Sequence, residues 1–459
     1  MIDKALIKEL THIVGRNQVL KRRDQIAYAR MDMSTSVEPD WPGLVLKVRT
    51  RSDLIRATRA CISFKQPLLI RAAGTGKSGG AVPREHCVVI DIMGLNDILS
   101  IDKANLYAMV EPGVILNDLK KEVEAQGLFY PPDPASSHRC TIGGNVAENA
   151  GGPSALKYGC TRDYVLGGQA ILGTGEVIDF GKHSVKGVTG YDIASLLCGS
   201  EGTLAVFCSL ILRLLPLPAH EAVALFLFDD EEAALKGVLL VFAQGFRPRT
   251  LEYIDSTCLD ALNMASAKKA FKKGQAALLI ECDGSQKEYV VKELRMLKEI
   301  LESRLGCKGE VADANRGHEL WRLRAGLSEA CTKYRGFKLS EDIALPLKEL
   351  GSFSQWFKAK KDGDLSCGLF GHAGDGNLHV QIMFDSEQHM EKALSLRHQV
   401  LLEVINRQGT LTAEHGIGLQ KRDYLGLEQA SALIELQKRI KAAFDPYNLL
   451  NPNKIFAMR

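Results

Sequence analysis

Apolar and polar positions change period several times along this chain, and the changes mark its elements. The stretch MIDKALIKELTHIVG at the start has the spacing of a short amphipathic helix with charges interspersed. Residues 87–92 (CVVIDI) and 106–110 (LYAMV) read as short strands. Residues 117–126 read as a helix with Asn117 as N-cap and Gly127 as its stop. Residues 169–180 (QAILGTGEVIDF) read as a hairpin turning at 173–175. All of these but the first helix lie in a Gly-rich region, 41–220, which Pro216 and Pro218 punctuate, so a boundary is expected near Pro218.

From Glu221 the texture alters. Strand-like 222–228 precedes helix-like 231–244, and strand-like 276–282 precedes a charged helix over 287–304. Further strands at 337–343 and 379–384 predict an α+β domain with an antiparallel sheet and flanking helices. Helical periodicity returns at 391–407, and 409–459 holds a Gly-rich motif, an amphipathic helix and a Pro/Asn-rich tail. The expected divisions are 1–218, 219–405 and 406–459, and 459 residues is the right length for two or three domains.

Composition narrows the function classes. A net charge of +3 with scattered Lys and Arg gives no reason to invoke nucleic acid, and the cluster Lys21, Arg22, Arg23 reads as a solvated helix end. No window approaches the roughly 20 apolar residues of a membrane span, and no secretory signal is evident. The expectation is a cytoplasmic protein, or one held at the membrane through a partner. Eleven cysteines, no two of them in C-x-x-C, supply no iron–sulfur or zinc-ribbon site and read as reduced, mostly buried thiols.

Candidate chemistry begins at 71–80, RAAGTGKSGG. A Walker A loop would need Gly where Arg71 stands, and a Rossmann turn would need a helix where GGAVPREH follows. What remains is a strand running into a loop of small residues, which exposes consecutive N–H groups to an anion such as a pyrophosphate. An ordinary glycine turn is the bland alternative. A second stretch, 130–152 (YPPDPASSHRCTIGGNVAENAGG), consists of turn-formers unsuited to helix or strand, and a loop this long is usually functional.

Together with YDIASLLCGSEGTLAV at 191–206, these two segments resemble the FAD-binding domain of the vanillyl-alcohol oxidase superfamily. The resemblance covers essentially the whole chain and is most specific at 141–145 and 148–152. It implies a PCMH-type FAD-binding domain of two subdomains over 1–218, a cap domain over 219–405, and a C-terminal segment, 406–459, packing back on the FAD domain. It places FAD against Arg71, Gly74, Thr75, Gly76, Lys77 and Ser78 in the first loop. Pro132, Asp133, Thr141, Gly144, Asn145, Asn149, Ala150 and Gly151 follow in the second, then Glu201, Gly202 and Val206. Ala72, Ala73 and Lys77 depart from the family's first loop, so the backbone carries more of that assignment than the Lys77 side chain. No His stands in the loop, so the FAD is expected to be non-covalent.

A second constellation lies far downstream. GHAGDGNLH (371–379) carries His372 and His379, and TAEHGIG (412–418) carries Glu414 and His415. Each histidine alone would more often be structural. Jointly, two imidazoles and a carboxylate match a catalytic divalent site with open positions, and His415 could serve as base. This resembles the superfamily branch of D-lactate dehydrogenases, D-2-hydroxyglutarate dehydrogenase and the glycolate oxidase flavin subunit. The resemblance implies His372, His379 and Glu414 as ligands of zinc, manganese or iron, His415 as the catalytic base, and Arg324 in WRLRAGLSE as the carboxylate clamp. Arg322 reads as a surface charge, and Lys338 as a weaker substrate candidate. The family's second-carboxylate lysine falls on Ser340, and Asn453 replaces a Gly in FDPYNLLNPNK.

The expected activity is oxidation of a small 2-hydroxy acid by FAD. Electrons would pass to a separate acceptor: an iron–sulfur subunit, an electron-transferring flavoprotein or a quinone. Two rivals stay open. A non-catalytic electron-relay flavin subunit should have lost the His/Glu set. A same-fold flavoenzyme for another alcohol should lack the metal pair. A nucleotide triphosphatase would be revived only by absence of flavin.

Overall fold

The computed structural model describes residues 2–34, 37–84, 86–266 and 270–458. Two compact units emerge, one of Met1–Gly151, Cys160–Leu217 and Glu414–Arg459, the other of Gly152–Gly159 and Pro218–Ala413.

The first unit contains two principal sheets. One has the strand order Val19–Leu20, Leu44–Lys47, Val88–Asp91, Leu68–Arg71, with the last three parallel. Helices Lys4–Val14 and Arg51–Ser63 cover one face of it. Leu6, Leu10, Leu44, Leu46, Leu54 and Ile90 join a cluster that also takes in Leu449 and Leu450 from the end of the chain. Thr50 caps the second helix by accepting from Asp53 N (3.1 Å). The other sheet is antiparallel, in the order Ile98–Asp102, Tyr107–Val110, Ala205–Arg213, Val165–Leu172, Val177–Gly181.

The second unit is built on a seven-stranded antiparallel sheet. Its order is Lys308–Val311, His220–Phe228, Ala276–Gly284, Thr250–Ile254, Ser366–Gly371, Asn377–Phe384, Phe337–Ala344. Helices Ser256–Ala265, Ala314–Ala325 and Leu327–Arg335 bury Cys258, Leu259, Leu320, Leu327 and Cys331 against Val223, Ile254 and Leu279. Among the described residues the eleven cysteines form no disulfide, and ten of them are buried.

Three local expectations differ from the structure. The helix expected from Asn117 starts at Leu116, because Ile115 is held by a bridge to Thr141 and Asn117 N donates to Ser137 O (3.1 Å). Residues 152–159 belong to the second unit. There Tyr158 Oη donates to Asp283 (2.7 Å), Lys157 Nζ to the Asp283 carbonyl (3.1 Å), and Arg249 Nε to Ser154 Oγ (3.0 Å). The last boundary falls after Ala413 rather than at 405, since Thr410 and Ala344 exchange backbone bonds of 2.9 and 3.3 Å.

Candidate functional site

The first loop leaves the buried strand Leu68–Arg71 and turns on Gly74 (φ +67°) and Gly79 (φ +81°), backbone that disfavours a Cβ. Arg71 shapes this turn. Its guanidinium donates to Tyr28 O and Met31 O (2.9 Å each) and Ala81 O (3.1 Å), so the side chain is a strut under the loop. The loop is clasped by the end of the chain. Leu419 N and Gln420 N donate to Ser78 O (2.9 and 3.0 Å), Asn451 Nδ2 to Gly80 O (3.0 Å), and Lys454 Nζ to Val82 O (2.6 Å). Thr75 and Gly76 are half-buried and Lys77 is exposed.

The second segment is not irregular throughout, as its composition predicted. Residues Ile142–Glu148 form a helix with Thr141 as N-cap, its hydroxyl accepting from Gly144 N (3.2 Å), and Asn149 as left-handed C-cap. The glycines serve packing here. A Cβ on Gly143 would lie 2.8 Å from the Pro112 carbonyl, so only Gly lets the helix approach that backbone. Gly199 N and Glu201 N then donate to Val146 O and Ala147 O (2.8 Å each), which docks 199–202 on the helix end. Asn149 Oδ1 accepts from Arg162 N (2.9 Å), and the Val206 side chain lies in the hydrophobic cluster. Pro132 is buried, Asp133, Gly144 and Ala150 half-buried, and Gly202 is left-handed (φ +67°).

Five buried polar atoms in these segments have no partner among the described residues: Ser78 Oγ, Tyr130 Oη, Asn145 Nδ2, Glu148 Oε2 and Ser200 Oγ. Buried polar groups are rarely orphaned, so the set fits a polar ligand. Two acids lie close by. Burial pushes Glu201 up to about 7, against the N–H groups of Ile417 and Gly418 (2.7 Å each) and Lys454, which pull it down. Burial, then Glu201 and Asp32, raise Glu148 well above the carboxylate range. A Cβ on Gly416 would fall 2.7 Å from Glu148 Oε2 and 2.9 Å from Glu201 Oε1, which explains the glycine after His415.

In the second unit, glycines make a tight hairpin of 371–379. Gly371 (φ +156°) would put a Cβ 2.5 Å from Asn377 O, and Gly376 (φ +83°) one 2.2 Å from Leu345 O. The result brings the His372 and His379 rings within 5.3 Å, centroid to centroid. His372 Nδ1 meets one oxygen of Glu252, and Arg324 Nε meets the other. Burial pushes Glu252 up, but Arg324 and His372 outweigh it and hold the carboxyl at about 2. The Arg324 guanidinium also stacks over Phe370 (4.8 Å). Arg322 is exposed. Lys338 Nζ donates to Ser328 O and Oγ (2.6 Å each) and to Gln381 (3.2 Å), which also accepts from Ser340 Oγ (2.8 Å).

Asp342 was not singled out in the sequence, nor was Glu252. Asp342 accepts from Asn377 Nδ2 (2.7 Å), lies 3.7 Å from His379 Nδ1, and accepts from Ala413 N (3.0 Å), the residue before Glu414. The usable signal for Glu252 was an acid in the short apolar run Thr250–Ile254. Glu414 and His415 open the last segment of the first unit, with Oε1 and Nε2 3.5 Å apart. A Cβ on Gly151 would lie 3.3 Å from Glu414 Oε2.

Comparison with known proteins matches residues 42–181 to an FAD binding domain and 217–455 to the C-terminal domain of FAD linked oxidases. Glycolate oxidase subunit GlcD of Bacillus subtilis is 35% identical over 470 residues, covering 100% of this chain and 98% of that protein. A D-lactate dehydrogenase of Anaerostipes hadrus is 31% identical, covering 90% and 89%. A D-2-hydroxyglutarate dehydrogenase of Stutzerimonas stutzeri is 30% identical, covering 100% of both. Among solved structures, p-cresol methylhydroxylase with substrate bound superposes with TM-score 0.82 at 17% identity, covering 99% of this chain and 96% of that one, a likeness of fold.

Proposed function

The chain belongs to the FAD-linked oxidases, and from that premise we propose that it oxidises a small 2-hydroxy acid, D-lactate or glycolate, to the 2-oxo acid. The observation that carries this reading is the hairpin 371–379, which sets two imidazoles together beside an arginine held by a buried acid.

FAD bound without a covalent link fits the first unit, where Ser78, Asn145 and Ser200 keep unpaired polar atoms for it. Its flavin supplies a hydride acceptor at N5. His372, His379 and Glu414 would hold a divalent ion (zinc, manganese or iron) whose chemistry is to make the 2-hydroxyl more acidic. Two neutral imidazoles and a carboxylate are a suitable donor set. Arg324 binds the substrate carboxylate, for which its planar fork is suited. His415 accepts the hydroxyl proton on a ring nitrogen. Ser340 is uncharged and Lys338 is engaged by Ser328 and Gln381, which favours a monocarboxylate over a dicarboxylate. Electrons leave to a separate acceptor: an iron–sulfur subunit, an electron-transferring flavoprotein or a quinone. No described helix is long and apolar enough to cross a membrane, and a cytoplasmic location is part of the proposal.

The test begins with the oxidised flavin spectrum of the purified protein. D-lactate, L-lactate, glycolate and D-2-hydroxyglutarate are then added anaerobically, before and after metal removal. D-lactate or glycolate should bleach the flavin, and metal removal should slow the bleaching. Failure of every acid to bleach it sinks the substrate reading, and undiminished bleaching in verified metal-free protein sinks the metal.

A further inference from the structure

Glu252 sits at the centre of strand Thr250–Ile254, every residue of which is buried. Its carboxylate joins two side chains from separate elements: His372 at the start of the hairpin, through Nδ1, and Arg324 on helix Ala314–Ala325, through Nε. A buried carboxylate is costly, and an apolar residue of similar size would serve a purely structural strand at least as well. An ionised carboxylate can only accept, so the proton between it and His372 sits on Nδ1 and the ring's lone pair on Nε2. Asp342 does not duplicate this for His379, since 3.7 Å is too long for a hydrogen bond.

We propose that Glu252 is a positioning residue: it fixes His372 as the Nδ1–H tautomer and, through its second oxygen, fixes the Arg324 guanidinium in the same frame. The inference rests on the preceding reading for what His372 and Arg324 do. Glu252 is the outer partner that makes one ring nitrogen a ligand, and it sets the distance between the metal's histidine and the substrate's cation.

Glu252→Gln tests this. The amide keeps an oxygen for Arg324 but turns an N–H toward His372 Nδ1, which moves the ring proton to Nε2. Long-range proton–nitrogen spectra, with His372 assigned through His372→Gln, read the tautomer directly in metal-free protein. The expected result is Nδ1–H in the wild type and Nε2–H in the variant. Zinc affinity, titrated calorimetrically, should fall by about 10–100-fold while the flavin spectrum stays unchanged. If Glu252→Gln does not fold, Glu252→Asp, which is too short to reach both partners, should lose the fixed tautomer and affinity in the same direction. An unchanged tautomer and unchanged zinc affinity in a folded variant overturn the proposal. A wild type that shows the Nδ1–H form but takes up no zinc upholds the positioning and overturns the metal reading instead.

Discussion

In the loops of the first unit, candidate cofactor residues are arranged through backbone. Gly143 permits contact with Pro112, Arg71 is used up on three carbonyls, and Ser78 is held by its own carbonyl from Leu419 and Gln420. In the hairpin of the second unit the reverse holds. Glycines bend the chain, but the groups presented are side chains, each beside a buried acid: Glu252 for His372 and Asp342 for His379. A backbone cradle should tolerate side-chain loss and fail when a glycine gains a Cβ. A side-chain site should fail at single truncations while its fold survives.

The largest expected effect separates the two at once. His372→Ala removes one proposed ligand from the buried hairpin and leaves Arg324 on Glu252. Turnover should drop about 10³-fold, the several kcal/mol that the proposed metal assistance would supply, while flavin content stays near wild type and the thermal midpoint falls only by the cost of one buried truncation and a weakened Glu252 pairing. Loss of flavin from this variant would erase the distinction.

Glycine substitutions come next and should hurt both regions, with different consequences. Gly418→Ala would place a Cβ 2.2 Å from Ser78 O at φ +52°, and Gly376→Ala one equally close to Leu345 O at φ +83°. Strain and overpacking together cost about 2–5 kcal/mol in each case. The first should shed flavin. The second should keep flavin and lose metal and turnover. Unfolding midpoints and flavin-to-protein ratios check both.

Protonation sharpens the contrast through its sign. Glu201 has its folded pKa raised to about 7 from 4.5, so the native state keeps a proton that the unfolded chain has lost. Its contribution makes stability fall as pH rises between those values, and Glu201→Gln should flatten that slope. Glu252 is held at about 2 against 4.5, so its contribution is present above 4.5 and is lost as pH falls toward 2. Each effect is on the order of 3 kcal/mol. Denaturation of metal-free, flavin-free protein across pH 3–8, with each Gln variant, reads both slopes. Slopes of the same sign would show that the two acids do not differ as described.

The sequence exposed the parts of this arrangement that are local. Period and punctuation located half of the described strands and both glycine clusters. The helix inside 130–152 was hidden because its permissive element, the approach of Gly143 to Pro112, is a tertiary contact that composition cannot show. Glu252 and Asp342 were hidden for the same reason. An acid in a buried strand acquires its meaning only when partners 72 and 120 residues away, Arg324 and His372, are seen on its two oxygens. The clasp of Asn451 and Lys454 on the first loop spans more than 370 residues and leaves no periodic trace.

The smallest predicted effect bears on how the first loop is read. GTGKS tempts one to give Lys77 the phosphate, as in a nucleotide triphosphatase, where that lysine is indispensable. Here Lys77 is exposed on a loop whose shape is set by Gly74, Gly79 and the Arg71 strut beneath it. A backbone cradle gives its ligand N–H groups, which no side-chain truncation removes. Lys77→Ala should therefore change stability by no more than about 0.5 kcal/mol, and flavin affinity by no more than about threefold, since 0.5–0.7 kcal/mol corresponds to that ratio. Fluorescence titration of the flavin-free protein with FAD measures it. Ser78→Ala, which deletes one of the orphaned buried atoms, should cost more than Lys77→Ala in the same titration. The opposite order would move the phosphate from the backbone to the lysine, and the contrast between the two regions would no longer stand.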